Sequence, residues 1–426
     1  MNNIDYKPRI MDQKLKEYLN SFGAVAVEGP KWCGKTWTSE HAAQSEIKIG
    51  SPVGNFQNKK MAEMNPLLAL EGEEPRLIDE WQEVPAIWDA VREKVDEDRG
   101  KGKYILTGSS TPRRKGIMHS GAGRIGRVRM ETMSLYEMGA SSGKASLNDI
   151  CHDHCTDVFT GDVDIDDLAS YIIAGGWPES VGRPLKQSSL VPEQYIEAIL
   201  DDDVYRLDGK KRDVDKMRRL LRSLARNEST TVSNKTLKRD IKEIDQDDVD
   251  ENTVAEYLDV FDRLFLLEDQ EPFDSSVRSS VRVKQMKKRH FCDPSLACAL
   301  MRIKSTKQLI GDLQTFGFLF EALVEHDLRI YAEANDGRLY HYQDYANKEI
   351  DAVVECSDGK WAAFEVKLGA NEIDTGAENL LSIAEKFRED KKSRQPSALC
   401  VICGLSNAIY RRPDGVIVVP ITALKP

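Results

Sequence analysis

The stretch that most constrains this chain is an octapeptide, Gly29-Pro30-Lys31-Trp32-Cys33-Gly34-Lys35-Thr36. It reads G-x-x-x-x-G-K-T, follows the apolar run Ala24-Val25-Ala26-Val27 and leads into a segment of helical pattern. Buried strand, glycine turn and helix start, in that order, make a phosphate cradle. The glycines let backbone N–H groups curl around an anion, and the helix N-terminus adds the positive end of its dipole. This context commits the first third of the chain to an α/β layer with a parallel sheet.

Other segments agree with that layer. Arg76–Asp79 and Lys103–Thr107 read as further strands, and Ala86–Val95 between them carries Trp88, Val91 and Val95 at helical spacing. Within the P-loop, Lys35 is expected to meet the β and γ phosphates of ATP, and Thr36 to give its hydroxyl to Mg²⁺. Leu77-Ile78-Asp79-Glu80 supplies the expected acidic partners. Asp79 at a strand tip would orient Mg²⁺, and Glu80 would polarise the attacking water. A polar tip on the third strand often contacts the γ-phosphate or water, with Ser109 the first choice and Thr107 the second. Arg113, Arg114, Lys115, Arg124, Arg127 and Arg129 follow in a Gly-rich stretch. An arginine from this group would stabilise transition-state charge, in cis or across a subunit boundary, with Arg124 preferred and Arg127 next.

The landmarks GPKWCGKT, LIDEWQEVPAIWDAVREKVD, YILTGSS, GAGR, MSLYEMG, GGWPES and FEVKLG run in order from residue 23 to residue 369. With them the sequence resembles the predicted AAA+ superfamily ATPases of bacteria and archaea that carry an uncharacterised C-terminal domain. The resemblance implies a P-loop ATPase module, a helical and winged-helix middle, and a C-terminal domain of restriction-nuclease-like fold. The expected spans are 1–145 for the AAA+ ATPase domain, 146–210 for a helical connector, 211–290 for a winged-helix-like domain and 291–426 for a PD-(D/E)xK nuclease-like α/β domain. Two departures stand out. Arg76 sits where an apolar strand residue is common, and Gly126-Arg127 repeats the Gly-Arg pair of GAGR.

The C-terminal span carries its own chemistry. Asp351 follows Ile350 on one expected strand, and Glu365-Val366-Lys367 lies on the next. Alternation puts Glu365 and Lys367 on one face. Two carboxylates that hold Mg²⁺ against a phosphate, with a lysine steadying water or charge, form the metal pattern of PD-(D/E)xK nucleases. Glu321, on an amphipathic helix over Phe316–Tyr331, takes the place of that fold's helical acid.

Weaker features need a place too. Arg278, Arg282, Lys284, Lys287, Lys288 and Arg289 form a basic stretch that could run along phosphates as a wing. Asp245, Asp247, Asp248, Asp250 and Glu251 precede the expected recognition helix and would repel a major groove. Residues 148–167 read as an acidic loop. Cys151-His152-Asp153-His154-Cys155 is too tightly spaced for a four-ligand zinc site, and Cys400 and Cys403 point to opposite faces of a strand as core thiols.

The formal net charge of −11 excludes a surface that grips nucleic acid throughout but permits a local basic groove. Eight scattered cysteines, a polar charged start and no long apolar run lead us to expect a reduced, cytoplasmic protein without a membrane. The expected function is ATP binding and Mg²⁺-dependent hydrolysis, coupled to a nuclease-like module. One alternative is an ATP-regulated enzyme that cuts or processes DNA. The other is an ATP-dependent switch whose nuclease-like domain only binds a partner, such as a protein.

Overall fold

In the computed structural model the apolar run before the P-loop becomes β1 (Ala24–Glu28), one of the inner strands of a five-stranded sheet. The structure describes residues 6–110, 118–246, 248–273, 286–390 and 393–426. The chain divides into two compact units. The first holds Met1–Thr132, Asp201–Arg212 and Asp259–Leu266, and the second holds the remainder. The span 211–290, expected as a separate winged-helix-like domain, is not a unit of its own. Asp213–Leu258 clusters with the second unit and Asp259–Leu266 with the first.

In the first unit, β2 (Ser45–Lys48), β3 (Arg76–Asp79), β4 (Tyr104–Gly108) and β5 (Ile125–Arg129) join β1 in the order β2-β3-β4-β1-β5. Every pairing is parallel. The β-carbons of a strand alternate between faces, so Ala24 and Ala26 enter one apolar cluster with Ile78, Leu106 and Trp88, while Val25 and Val27 enter another with Leu77 and Ile105. A sheet covered on both faces explains why these strands read as continuous apolar runs. β2 and β5 were not legible as strands. β2 buries only Ile47, and β5 carries two arginines. Arg76 is tolerated in β3 because its Nε donates to the Ala69 carbonyl at 2.8 Å and its Nη1 to Ser45 Oγ at 3.1 Å.

In the second unit, β6 (Ala145–Ser146) pairs with β15 (Leu424–Lys425). The main sheet has eight strands: β7 (Val158–Phe159), β8 (Glu271–Pro272), β9 (Arg338–Gln343), β10 (Glu349–Glu355), β11 (Trp361–Lys367), β12 (Ala398–Cys403), β13 (Ala408–Arg411) and β14 (Ile417–Pro420). Their order is β7-β13-β14-β12-β11-β10-β9-β8. β9, β10 and β11 form an antiparallel meander, and β11, β12 and β14 run parallel. The helix Ile373–Glu389 links β11 to β12 and buries Ala377, Leu380, Ile383 and Phe387 over Ala363, Val401 and Val418. The long helix Leu313–Ala334 packs on β9, β10 and β11. Residues 148–167 are not one loop. A helix, Leu147–Cys151, starts where Ser146 caps the Asp149 N–H, and Val158–Phe159 adds an edge strand.

Two landmark motifs are joints of this unit. The Met133 N–H donates to the Gly176 carbonyl at 2.6 Å, and a β-carbon on Gly176 would lie 2.0 Å from the Met133 carbonyl oxygen. The Gly176 N–H and the Trp177 indole reach Asp293 and Ser295 at 2.9 and 3.0 Å. The Leu135 N–H reaches Asp327 of the long helix at 3.0 Å. MSLYEMG and GGWPES therefore hold backbone to backbone and close a buried polar network.

Candidate functional site

β3, β4 and β1 are neighbours, so their C-terminal ends bring Asp79, Thr107 and Gly29 to one edge of the first sheet. Open α/β sheets present ligand sites at that edge. Gly29 has φ 152°, and a β-carbon there would stand 2.1 Å from the Met130 carbonyl oxygen. Only glycine fits that close approach. Gly34 has φ 105° at the start of the helix Lys35–Ala42. Arg9, which sequence reasoning missed, braces the loop from behind. Its guanidinium donates to the carbonyls of Cys33 at 2.7 Å and Glu131 at 2.9 Å. Cys33 is buried, Lys31 pairs with Asp203, and Trp32 is 59% exposed, so the variable positions of the loop face three different surroundings.

The chemistry-bearing side chains lie next to the loop. The Lys35 amine donates to the Pro30 carbonyl at 2.6 Å. The hydroxyls of Thr36 and Thr107 both donate to Asp79 Oδ1, at 2.9 and 2.6 Å. Thr107, the second choice at the β4 tip, thus touches the strand-tip aspartate, while Ser109 donates to Glu80 Oε2 at 3.0 Å. The Glu80 N–H donates back to Thr107 Oγ1 at 3.2 Å, and Gln82 donates to the Glu80 carboxylate. Glu80 holds a left-handed backbone, φ 58° and ψ 46°. That conformation costs a non-glycine residue about 1 kcal/mol and is found where function fixes a side chain. Burial pushes the Glu80 carboxyl above the usual glutamate range, Lys35 opposes the shift and Asp79 adds to it.

The arginines distribute differently. Arg113, Arg114 and Lys115 lie outside the described residues. Arg124 precedes β5, and its carbonyl accepts from Ala24, the first residue of β1. It therefore sits at the N-terminal edge of a parallel sheet whose P-loop leaves the C-terminal edge. Five residues of strand separate the two, about 16 Å of rise. Its guanidinium pairs with Asp96 at 2.7 Å. A contact from Arg124 to phosphates in its own chain is out of reach. Arg127 lies over the Trp88 ring at 4.7 Å and pairs with Glu28 at 3.4 Å. Arg129 pairs with Glu131 at 3.0 Å.

The second charged constellation belongs to the second unit. The β10–β11 register pairs Ala352 with Phe364, so Asp351 and Glu365 stand side by side. Asp351 Oδ2 accepts the Val366 N–H at 2.8 Å, and the Lys367 amine lies 2.7 Å from Glu365 and 3.8 Å from Asp351. Glu321 reaches the group from the long helix, so all four expected residues converge. Three more join them. Glu349 comes two residues before Asp351 on the same strand, Asn379 donates to Glu365 Oε1 at 2.8 Å, and Lys288 pairs with Glu321 and with Glu349 at 2.7 Å. Period-two alternation could have flagged Glu349, and Asn379 lies one helical turn from Gly376. A β-carbon on Gly376 would stand 3.2 Å from Lys367 Cε, which holds that helix close to the charged strand. The chain offers a metal ion one such group among the described residues, Glu321, Glu349 and Asp351. A cavity of about 450 Å³ opens on it, lined also by Thr230, Phe318 and Lys348.

Electrostatics in this cluster follow from burial. Burial and the charge of Asp351 push the Glu365 carboxyl up to about 7, against the pull of Lys367. Burial opposes the charge on Lys288, but the carboxylates of Glu321, Asp351 and Glu349 more than offset it, and the ammonium is held above the ordinary lysine range.

Where it is described, the basic stretch before β9 has acidic partners of its own. Lys287 pairs with Glu271 at 2.6 Å, Arg289 pairs with Asp269, and Lys288 is buried. Arg278, Arg282 and Lys284 lie outside the described residues, as does Asp247. Asp245 is tied to Arg226 at 2.9 Å. His152 pairs with the Asn148 carbonyl at 2.7 Å and with Asp358 at 3.2 Å. Cys400 and Cys403 are buried thiols.

A parallel sheet with a glycine-braced phosphate loop and a Thr–Asp–Thr cluster at its edge defines a P-loop nucleotide-binding domain. The comparisons narrow the class. Residues 21–139 match the model described as AAA domain, so this part of the chain is an AAA-type, ATP-binding ATPase domain. Residues 165–307 and 316–424 match two models described as domains of unknown function, DUF8612 and DUF4143. An uncharacterized protein of Mycobacterium bovis and one of Mycobacterium tuberculosis are each 24% identical over 358 residues, 83% of this chain and 72% of theirs. Among solved structures, the Walker-type ATPase of Pyrococcus abyssi aligns at 13% identity and TM-score 0.45, over 70% of this chain and 97% of its own. Cdc6p of Pyrobaculum aerophilum aligns at 11% identity and TM-score 0.22, over 72% and 97%. Superpositions this loose carry no argument. No helix among the described residues is long and apolar enough to cross a membrane.

Proposed function

We propose that the N-terminal site hydrolyses ATP with Mg²⁺ and that turnover governs a C-terminal module of restriction-nuclease-like fold. The observation that carries this reading is the cluster at the sheet edge, where Thr36 and Thr107 share Asp79 and Glu80 is turned toward Ser109. Thr36 and Asp79 are the residues that would hold Mg²⁺, and their oxygen donors suit that ion. Bound with ATP, Mg²⁺ would neutralise charge on the phosphate oxygens. Lys35 exchanges the Pro30 carbonyl for phosphate oxygens. Glu80 accepts a proton from the attacking water, and Ser109 and Gln82 orient its carboxylate. The test is ATP turnover by Lys35→Ala. A variant that binds and hydrolyses ATP as the wild type does would sink the assignment.

A second reading gives the C-terminal module Mg²⁺-dependent phosphodiester cleavage, with Glu321, Asp351, Glu365 and Lys367 in the roles of that fold and the winged-helix-like span touching DNA. Glu321, Asp351 and Glu365 line one cavity, and Lys367 reaches Glu365 and Asp351 beside it, which supports this reading. The competing switch reading has the module bind a partner without cutting. Nicking of DNA that requires Mg²⁺ and vanishes in the Asp351→Asn, Lys367→Ala double variant decides for cleavage. Intact substrate with the wild-type chain decides for the switch.

A further inference from the structure

We infer that Lys288 is the resident cation of the C-terminal acidic cluster, occupying the position a divalent metal would take. The inference rests on reading that cluster as a metal-type arrangement. The carboxylate oxygens of Glu321, Glu349 and Asp351 suited to one ion lie within 4.8 Å of one another. The Lys288 amine stands among them, bonded to Glu321, 2.7 Å from Glu349 and 3.9 Å from Asp351. A metal bound to the same oxygens at about 2.1 Å would collide with that nitrogen.

Lys288 is also fixed by its backbone. Its N–H donates to the Gln270 carbonyl at 3.0 Å, and the Gln270 N–H returns the bond at 2.9 Å. The side chain is 1% exposed, and its backbone is held by this bridge to Gln270, so the amine is kept at the carboxylates. Lys367, the lysine the nuclease pattern calls for, is present separately and pairs with Glu365. The cluster thus carries one lysine more than the pattern needs, placed on the metal's ligands. The consequence is a nuclease-like site closed to metal while Lys288 stays in place.

The test uses the full-length, nucleotide-free chain with Mn²⁺ as the probe, followed by electron paramagnetic resonance. The wild type is expected to take up no Mn²⁺ that depends on Glu349. Lys288→Met should gain one site, with affinity raised on the order of a hundredfold or more, the scale on which one charge acts in a buried cluster. Glu349→Gln in that background should remove it. Wild-type uptake abolished by Glu349→Gln overturns Lys288 as the occupant and leaves the metal-type reading standing. A folded Lys288→Met protein that gains no site, while the wild type has none, overturns both. If Lys288→Met does not fold, Lys288→Gln carries the same titration with the same two outcomes.

Discussion

Lys35 and Lys288 are both buried lysines, 6% and 1% exposed, and they are held in opposite ways. Lys35 donates to a neutral backbone carbonyl and forms no ion pair among the described residues. Lys288 lies among three carboxylates. A hydrogen bond to a carbonyl exchanges readily for a charge-assisted bond to phosphate. An ammonium shared by buried carboxylates leaves only if the charge it balances is met another way. One lysine waits for a ligand, and the other stands in for one. The same contrast separates the acids. Asp79 accepts two hydroxyls that can turn to an ion, whereas Glu321 and Glu349 accept a fixed ammonium.

That contrast can be broken by substitution. Lys35→Ala should lower ATP turnover by about 10³-fold, measured as steady-state phosphate release. Its urea melt should stay within about 1 kcal/mol of the wild type, since the bonds it gives up are to the neutral Pro30 carbonyl and Cys33 thiol. Glu80→Gln should lower kcat by about 10²-fold while nucleotide affinity holds, which equilibrium binding of a labelled ATP checks. Lys288→Ala should show the reverse profile. It should lose about 3–5 kcal/mol in the urea transition, because removing one partner leaves buried carboxylates uncompensated. A small loss there would mean the cluster is already protonated or solvated.

The pH dependence sharpens the first site. Burial raises the Glu80 carboxyl, so its base form is lost as pH falls through a pKa above the usual glutamate range. The acid limb of kcat should therefore lie above that range. A limb in the ordinary carboxylate range would point to another group. The smallest effect expected is at Arg124. Its pair with Asp96 is exposed and screened by solvent. Arg124→Ala should leave turnover in dilute protein within about twofold. A loss that appears only at high protein concentration would assign Arg124 to a neighbouring chain's phosphates.

Much of the first site was legible because its signals are local. A P-loop is read from one octapeptide and its flanks, and Asp79-Glu80 from a strand tip. Asp351, Glu365 and Lys367 were legible from alternation along two strands. Arg124 was expected to act in cis or across a subunit boundary, and residue spacing does not choose between them because it does not say at which edge of a sheet a residue falls. The parallel direction of β5 decides that. Lys288 was hidden in a basic run that reads as solvated surface, and nothing local distinguishes it from Lys287 or Arg289.

The sequence by itself determined the phosphate loop, its acidic partners and the strands that bear the C-terminal acids, since each depends on backbone geometry within a few residues. Tertiary structure alone decided which lysine enters which site. A buried charge is tolerated only where distant segments bring enough opposite charge to meet it. For Lys288 that meeting joins a backbone bridge to Gln270, the helix of Glu321 and the strand of Glu349 and Asp351.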